Sequence, residues 1–309
     1  MTRTTIAVIG AGTMGRGIAL TALRHGYDVA LFDVNSDSAR QAASQAASRR
    51  GAGSSPAESG GTAAGATITV AATVEAAVAA AAVVIETVVE SEPVKAEVLR
   101  EIAAAAGPDT LLATNTSTFS IARLATAGGC EGRLVGMHFF NPVPKMRLVE
   151  VVIVPGTTPD HVRRCSDLAV SLGKTPIVVL DSPGFITSRL GLALGNEAMR
   201  LVASGVAGPS AIDAAMRLGY NHPMGPLELA DLVGLDARLN NLNALHPALN
   251  DDHFRPPQIL VDLVSAGHLG RKSGRGFYAY DADGRQHDVP LAQEGDGDEG
   301  DTTVKVTRR

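Results

Sequence analysis

A histidine and a glutamate occur where the chain can bring them together as a catalytic pair. His138 ends one apolar segment, and Glu150 lies in the next, beyond a short proline-bounded loop. Segments joined by so short a loop can be neighbouring strands, so the two side chains can meet. A carboxylate on one imidazole nitrogen fixes the tautomer and stabilises the imidazolium that forms when the other nitrogen takes a proton.

A base of this kind is what oxidation of an alcohol requires, because the hydroxyl proton must leave while hydride leaves the carbon. A histidine in an apolar strand is also compatible with an ordinary core residue. Glu150 is harder to explain as structure, because a buried carboxylate is costly unless it is paired. We therefore predict His138 as a general base that is oriented by Glu150.

A glycine-rich turn follows the first predicted strand and opens a predicted helix. Residues 10–15 have the sequence GAGTMG, which is the pattern G-x-G-x-x-G. The first glycine permits a tight turn, the second lets the backbone approach a pyrophosphate, and the third lets helix and strand pack closely. The helix N-terminus offers free N–H groups to phosphates. The residues predicted to bind a dinucleotide here are Gly10, Gly12, Thr13, Met14 and Gly15.

An aspartate follows at the position expected for ribose recognition. Asp33 ends the second predicted strand, 18 positions after Gly15. A carboxylate there hydrogen-bonds the ribose hydroxyls and repels a 2′-phosphate, so NAD is favoured over NADP. The alternatives are a glycine-rich turn without a ligand and an aspartate that only ends a strand.

Ser117 lies in a polar run, residues 115–118, directly after the predicted strand Leu111 to Thr114. Open α/β sheets bind ligands at the carboxyl ends of their strands, so Ser117 can hydrogen-bond the reacting oxygen. The alternative is a helix cap for the segment that starts near Ser120.

The order of predicted elements indicates an α/β fold with an N-terminal Rossmann-type doubly wound sheet and an all-helical C-terminal domain. Strands and helices alternate up to a turn at Asp181, and only helices are predicted after it. We expect a dinucleotide-binding domain over residues 1–182, a helical domain over 183–281 and a flexible, partly acidic tail over 282–309. The predicted strands are Thr5–Gly10, Asp28–Asp33, Val83–Glu86, Leu111–Thr114, Leu134–Phe139, Leu148–Val154 and Thr175–Leu180.

Bulk composition excludes several classes of function. With 27 basic and 32 acidic residues among 309, the net charge is −5, so nucleic acid is not an expected partner. The two cysteines, Cys130 and Cys165, are too few for a disulfide framework and lack metal-ligand spacing, so no metal is expected. The longest apolar run is too short to span a bilayer, and no export signal is visible. We expect a cytoplasmic enzyme that does not bind membranes.

With these motifs the chain resembles the bacterial 3-hydroxyacyl-CoA dehydrogenase family, especially its 3-hydroxybutyryl-CoA type. The resemblance extends from about residue 5 to residue 281. It rests on the turn at 10–15 and on separated motifs in both halves. These are ETVVE at 86–90 with Lys95, NTS at 115–117, HFFNPVP at 138–144, DSPGF at 181–185, GPLEL at 225–229, GRKSG at 270–274 and GFY at 276–278.

The resemblance implies specific roles for residues of this chain. His138 is implied as general base with Glu150 as its partner, and Ser117 and Asn141 as contacts of substrate and nicotinamide. Thr87, Glu90 and Lys95 are implied on the cofactor side, although Lys95 is also compatible with a solvated helix face. The family acts on (S)-3-hydroxyacyl thioesters with NAD, forms dimers through the helical domain and closes its two domains over the substrate.

Two departures from the family pattern concern the substrate. Ser188 stands where an asparagine usually precedes the arginine of the Gly-Phe-Ile-x-Asn-Arg run. The segment Ala42 to Gly65, which is compatible with two weak helices or a mobile flap, offers only Arg49 and Arg50 for CoA phosphates. The expected substrate is 3-hydroxybutyryl-CoA, with Ser188, Arg49 and Arg50 in its site.

Three alternatives stay open at this point. The first is the same chemistry on a hydroxylated short acyl group bound to an acyl carrier protein, as in synthesis of polyketide extender units. The second is a non-catalytic NAD-binding scaffold. The third is a dehydrogenase for a free hydroxy acid, in which Arg147 or Arg189 would bind the carboxylate.

Overall fold

The computed structural model describes residues 3–49 and 65–289. The chain divides into two compact units, Met1–Phe185 and Ile186–Arg309. The sequence-based boundary after residue 182 lies three positions before this division. Each unit has its own hydrophobic core.

The first unit is built on one eight-stranded sheet. Its strand order is β3-β2-β1-β4-β5-β6-β7-β8, so the order reverses between β1 and β4. Ligands bind at such a reversal in open α/β sheets, just outside the carboxyl ends of the strands. The strands are β1 Thr5–Ile9, β2 Asp28–Phe32, β3 Ile68–Val70, β4 Val83–Glu86, β5 Leu111–Thr114, β6 Leu134–Phe139, β7 Leu148–Ile153 and β8 Thr175–Leu180.

Helices cover both faces of this sheet, as the alternation of side chains along β1 demonstrates. Ile6 and Val8 belong to one buried cluster, and Ala7 and Ile9 belong to another on the opposite face. This explains why the central strands are apolar at successive positions rather than at alternate ones. The doubly wound fold that the sequence predicted is confirmed. The helices of the unit are α1 Thr13–Arg24, α2 Ser36–Arg49, α3 Val74–Val78, α4 Glu92–Ala105, α5 Ile121–Ala127 and α6 Pro159–Ser171.

Strand β7 runs antiparallel to β6, whereas all other neighbours in the sheet are parallel. The connection between β6 and β7 has no crossover helix, and a short loop can only return the chain in the opposite direction. Strand β3 was not predicted, because it has only three residues, one partly buried and two exposed, and therefore lacks a strong apolar pattern.

The second unit is helical and has one addition. A two-stranded antiparallel hairpin pairs β9 Tyr278–Tyr280 with β10 Gln286–Asp288, although the sequence predicted only helices there. β10 lies within the predicted tail. Strands of three residues leave no clear period in the sequence. The helices are α7 Thr187–Ala203, α8 Pro209–Tyr220, α9 Pro226–Val233, α10 Leu235–Leu249 and α11 Gln258–Ser265.

Among the helices of residues 3–49 and 65–289, none is long and apolar enough to cross a membrane. Across the same ranges, no group of three or more His, Cys, Asp or Glu side chains is arranged to hold a metal ion.

A buried aspartate connects α9 to the hairpin in the second unit. The Asp231 carboxylate accepts hydrogen bonds from the backbone N–H groups of Phe277 and Tyr278, each at 3.0 Å, and from the Tyr280 hydroxyl at 3.0 Å. Its burial raises the pKa of Asp231 to about 6, although these hydrogen bonds oppose the shift. The carboxyl therefore titrates at a higher pH in the folded chain than in the unfolded one.

This difference predicts a pH-dependent stability. Between pH 4 and 6 the folded chain holds a proton that the unfolded chain has lost, so the contribution of Asp231 to the free energy of unfolding falls as pH rises. The fall is at most about 3 kcal/mol. Urea denaturation from pH 4 to 7.5 should therefore show that Asp231→Asn destabilises most at the acidic end. Asp262→Asn, an exposed position on α11, is the control, and a difference that grows with pH contradicts the prediction.

Candidate active site

The glycine-rich turn lies at the carboxyl end of β1 and is held by Thr87. Gly10 has a φ of +109°, which favours glycine, and its N–H donates to the Phe32 carbonyl at 2.7 Å. The Thr87 hydroxyl, which is buried, lies 2.9 Å from the Gly10 carbonyl oxygen and 3.1 Å from that of Ile9. A Cβ at Gly10 would lie 2.7 Å from the Thr87 carbonyl oxygen. Thr87, predicted on the cofactor side, thus holds the glycine-rich turn through hydrogen bonds to its backbone.

The N-terminus of α1 has the properties of a pyrophosphate site. Its N-cap is Gly12, no side chain caps the first turn, and no acidic residue lies in that turn. A Cβ built on Gly12 meets no atom within 4 Å, so the space in front of the turn is open. A Cβ on Gly15 would collide with the Gly10 carbonyl oxygen, as the packing role of the third glycine requires. These residues fit a bound dinucleotide.

Asp33 follows β2, beside the glycine-rich turn. Its Oδ2 accepts the Ala11 N–H at 2.6 Å, and its Oδ1 accepts the Asn35 N–H at 2.8 Å. The residue is half-buried, so part of its surface remains accessible. Its two hydrogen bonds hold the loop, and its role in binding a ribose stays a prediction.

His138 and Glu150 form the expected pair. They are direct partners in the antiparallel register of β6 and β7. The His138 Nδ1 lies 2.7 Å from Glu150 Oε2, and both side chains are buried. When Nδ1 donates its proton to the carboxylate, Nε2 is left as the acceptor. The ring packs against Phe140 and Phe185, with centroid distances of 4.5 and 5.7 Å, and these contacts limit its rotation.

Ser117 lies on the accepting side of the imidazole. Its Oγ is 3.3 Å from His138 Nε2. The preceding Asn115 receives the Phe139 N–H on its Oδ1 at 2.9 Å, which ties the end of β5 to the end of β6. The N-cap of α5 is Ser120, whose Oγ accepts the Arg123 N–H at 3.3 Å. The alternative that Ser117 caps α5 is therefore wrong.

Lys95 is not a solvated side chain, contrary to one alternative. It is fully buried and pairs with Glu86, with Nζ 3.0 Å from Oε1. Burial raises the pKa of Glu86, while the Lys95 ammonium and the Thr114 hydroxyl oppose that shift. Sequence reasoning missed Glu86 as a site residue, although it lies in the motif at 86–90. A carboxylate at the end of an apolar strand was the signal that could have identified it. Glu90, predicted on the cofactor side, accepts the Ser117 N–H at 2.9 Å.

Lys174, which sequence reasoning missed, holds the loop after β6 through hydrogen bonds to its backbone. The Lys174 Nζ donates to the carbonyl oxygens of Val143 at 2.5 Å and Met146 at 2.9 Å. Burial lowers the pKa of Lys174. Asn141, a predicted contact of substrate and nicotinamide, is exposed at the start of this loop. No local pattern distinguishes Lys174 from a surface lysine.

The other predicted substrate residues are placed differently. Ser188 is half-buried in the first turn of α7, in the second unit. Arg49 is the last residue of α2, and its side chain lies outside the described part of the structure. Arg50 also lies outside the described residues.

The glycine-rich turn, Asp33 and Ser117 follow strands β1, β2 and β5, and the His138–Glu150 pair joins β6 to β7, all in one doubly wound sheet. This fold and this set of residues define a nicotinamide-dependent dehydrogenase.

Comparison with known proteins gives the family. The models of the NAD binding domain and the C-terminal domain of 3-hydroxyacyl-CoA dehydrogenase match residues 5–182 and 184–280. The chain belongs to the 3-hydroxyacyl-CoA dehydrogenase family. It is thus an NAD-dependent oxidoreductase, which confirms the resemblance, the cofactor and the enzyme class that the sequence predicted.

Several relatives match along almost their whole length. The probable 3-hydroxybutyryl-CoA dehydrogenase of Deinococcus radiodurans is 41% identical over 274 residues, covering 88% of this chain and 99% of that protein. The 3-hydroxybutyryl-CoA dehydrogenase of Bradyrhizobium diazoefficiens is 42% identical over 277 residues, covering 89% and 94%. The crystal structure of (S)-3-hydroxybutyryl-CoA dehydrogenase from Ralstonia eutropha superposes with a TM-score of 0.83 at 36% identity, covering 91% of this chain and all of that one.

The position of Asp33 predicts how the coenzyme preference can be changed. Asp33→Asn keeps an oxygen for the Ala11 N–H but removes the charge that opposes a 2′-phosphate. Two like charges about 4 Å apart near a surface repel by ~1–4 kcal/mol. We therefore expect the ratio of kcat/KM for NADPH to that for NADH to rise by about tenfold or more. Steady-state kinetics with both coenzymes measures this ratio, and the exposed Asp37→Asn on α2 is the control. An unchanged ratio of the two kcat/KM values would show that Asp33 does not determine the coenzyme preference.

Proposed function

We propose that the protein interconverts (S)-3-hydroxybutyryl-CoA and acetoacetyl-CoA with NAD, and that His138 is the general base oriented by Glu150. The observation that supports this most directly is the line from Glu150 through His138 to Ser117, with steps of 2.7 and 3.3 Å. A hydroxyl oxygen placed beside Ser117 Oγ and His138 Nε2 can reach both atoms. The substrate class follows from the family and from relatives named for this reaction.

In the oxidising direction, His138 Nε2 takes the proton of the 3-hydroxyl as hydride leaves C3, the carbon that carries this hydroxyl. NAD supplies the hydride acceptor when it is bound at the glycine-rich turn. The positive charge that develops on the imidazole is stabilised by the Glu150 carboxylate at 2.7 Å. In the reverse direction the imidazolium returns this proton to the oxygen. Neither direction requires a metal ion to move the proton.

Ser117 and Asn141 are the proposed contacts of the reacting oxygen and the nicotinamide. The Ser117 hydroxyl can donate to the substrate oxygen, and the negative charge that the oxygen gains during the reaction strengthens that bond. Asn141 is exposed directly after β6, one residue beyond the ring of Phe140 that packs on His138. It therefore has an open side on which a ligand can bind.

We propose CoA rather than a carrier protein as the thioester carrier. The relatives' names support CoA, whereas the carrier-protein alternative rests on Ser188 and on the few basic residues of the segment 42–65. Direct competition between the two carriers decides the point in a single assay.

The decisive test follows NADH absorbance with acetoacetyl-CoA and with acetoacetyl groups on an acyl carrier protein. We expect rapid NADH oxidation with the CoA ester, and a loss of about 10²–10⁴-fold in kcat for His138→Gln, because proton transfer loses its base. NADH binding should stay unchanged in this variant. The control is His246→Gln, a partly exposed histidine of α10 that pairs with Asp252.

Three results of that assay have different meanings. Turnover only with the carrier-bound substrate would replace CoA in the proposal. Full activity of His138→Gln would remove the histidine from the mechanism. NADH binding without turnover on either ester would overturn the proposed substrate.

We further propose a homodimer formed through the helical unit. Helices α7 and α9, which pack together, both expose large apolar side chains. Leu190 and Leu194 lie one turn apart on α7, and Leu232 and Val233 lie one turn after Leu229 on α9. Exposed apolar stripes of this kind support a protein–protein interface, and symmetric pairing is the commonest use of one.

Charged substitutions on these stripes should separate the copies. We expect the wild type to scatter light with twice the chain mass, and Leu190→Glu combined with Leu232→Glu to give the mass of one chain at micromolar concentration. Size-exclusion chromatography with light scattering measures both masses. Val170→Glu, an exposed position on α6 of the first unit, should leave the mass unchanged. A monomeric wild type contradicts the dimer.

We also propose that the enzyme works in the cytoplasm. The two cysteines are unpaired and buried. Burial raises the pKa of the Cys130 thiol to about 11 and that of Cys165 to about 12, so both stay protonated and unreactive at neutral pH. Free thiols of this kind are compatible with a reducing compartment.

A further inference from the structure

We propose that Glu86 is a positioning residue for the reaction, and that it acts through Lys95 on the Ser117 turn, residues 115–118. The proposed chain of contacts runs from Glu86 to Lys95, then to Glu90 and the Asn115 carbonyl, and finally to Ser117 beside His138. This inference rests on the proposed function, because it assigns to the network the task of holding Ser117 where the substrate oxygen reacts.

The ammonium of Lys95 is buried among acceptor groups of the protein. Its side chain has 0% exposed surface. The Nζ lies 3.0 and 3.2 Å from the two carboxylate oxygens of Glu86, 3.1 Å from the Asn115 carbonyl oxygen and 3.4 Å from Glu90 Oε2. An ammonium has three protons, and these acceptors occupy them. In this arrangement the Lys95 ammonium acts on the protein groups around it.

Glu90 transmits the position of Lys95 to the Ser117 turn. One of its carboxylate oxygens, Oε2, faces the Lys95 ammonium. The other, Oε1, accepts the Ser117 N–H at 2.9 Å, the Thr116 hydroxyl at 2.6 Å and the Thr118 hydroxyl at 3.2 Å. One oxygen atom of Glu90 therefore binds three successive residues, and the orientation of the Glu90 carboxylate depends on the Lys95 ammonium at its other oxygen.

Glu86 is the anchor of Lys95. It ends β4, and its Oε1 accepts the Val88 N–H at 2.7 Å while its Oε2 accepts the Thr114 hydroxyl at 2.5 Å. These bonds fix the carboxylate to the ends of β4 and β5. A fully buried ammonium needs an opposite charge close by. If Glu86 were neutral, the Lys95 ammonium would be drawn towards the carboxylate of Glu90, and the Ser117 turn would move with it.

Small movements of this turn matter for the chemistry. The Ser117 Oγ lies 3.3 Å from His138 Nε2, and a substrate oxygen has to reach both atoms. A displacement of about 1 Å from reactive geometry can lower a rate by about 10²-fold without loss of binding. Loss of the Glu86 charge should therefore lower kcat and leave substrate and coenzyme affinity nearly unchanged.

Glu86→Gln tests this inference, because the amide keeps the shape of the side chain and removes its charge. We expect kcat for acetoacetyl-CoA to fall by about 10–10²-fold, with KM and the NADH Kd changed by less than about threefold. We also expect faster amide hydrogen exchange in the peptide that contains Ser117, measured without substrate. The control is Glu92→Gln on α4, which loses only a partly exposed ion pair with Arg123.

A double variant separates positioning from stability. Glu86→Gln with Lys95→Met removes both buried charges, and such replacements often restore stability. We expect the melting temperature of the double variant to recover while kcat stays low, because Glu90 and the Asn115 carbonyl have then lost the Lys95 ammonium as their donor. Recovery of kcat together with the melting temperature would reduce the pair to a structural role and overturn the inference.

Two further outcomes also decide the inference. A Glu86→Gln variant with wild-type kcat and wild-type exchange at Ser117 overturns it. If wild-type protein fails to turn over acetoacetyl-CoA, the proposed function fails, but exchange at Ser117 still tests the network. Faster exchange there in Glu86→Gln and not in Glu92→Gln supports the inference in either case.

Discussion

Where β6 turns back and continues as β7, His138 and Glu150 lie at the same level of the sheet. Their side chains point to the same face because directly opposed residues in an antiparallel pair share a face. The Glu150 carboxylate is buried with the His138 imidazole against it, so the proposed catalytic pair also helps the sheet to satisfy a buried charge. A shift of one residue in this register would place the two side chains on opposite faces. The site depends on that pairing more than on any other contact.

The remaining polar groups of the site are arranged around this pair by the ends of parallel strands. Gly10 follows β1, Glu86 ends β4, and Asn115 follows β5. Each of these ends is tied to its neighbour, by the Thr87 hydroxyl on Gly10 and by the Asn115 amide on the Phe139 N–H. Because the backbone is paired on both sides up to these residues, the side chains that follow have little freedom. The site is therefore preorganised by the sheet.

Charges in the site are handled in two different ways. Glu86 and Lys95 are fully buried and paired, whereas Asp33 is half-buried and keeps an open side. A group that must meet a ligand has to stay partly accessible, while a group that positions other residues is most effective where water does not weaken its interactions. The difference in burial fits the two proposed roles, coenzyme binding for Asp33 and positioning for Glu86, although both are carboxylates at or next to a strand end.

Several features followed from the sequence alone. The glycine spacing of residues 10–15, the strand and helix alternation and the positions of His138 and Glu150 are local patterns, and they predicted the doubly wound fold, the NAD site and the base with its partner. The short strand β3 and the hairpin of β9 and β10 were missed because three-residue strands have too little period to detect. Only the tertiary structure decided that Lys95 is buried against Glu86, that Lys174 holds the loop of Val143 and Met146, and that Ser117 faces His138. The physical reason is that a lysine has the same local sequence signature in water and in a buried pair. Its state is fixed by partners that are distant in the chain and become neighbours only when the sheet forms.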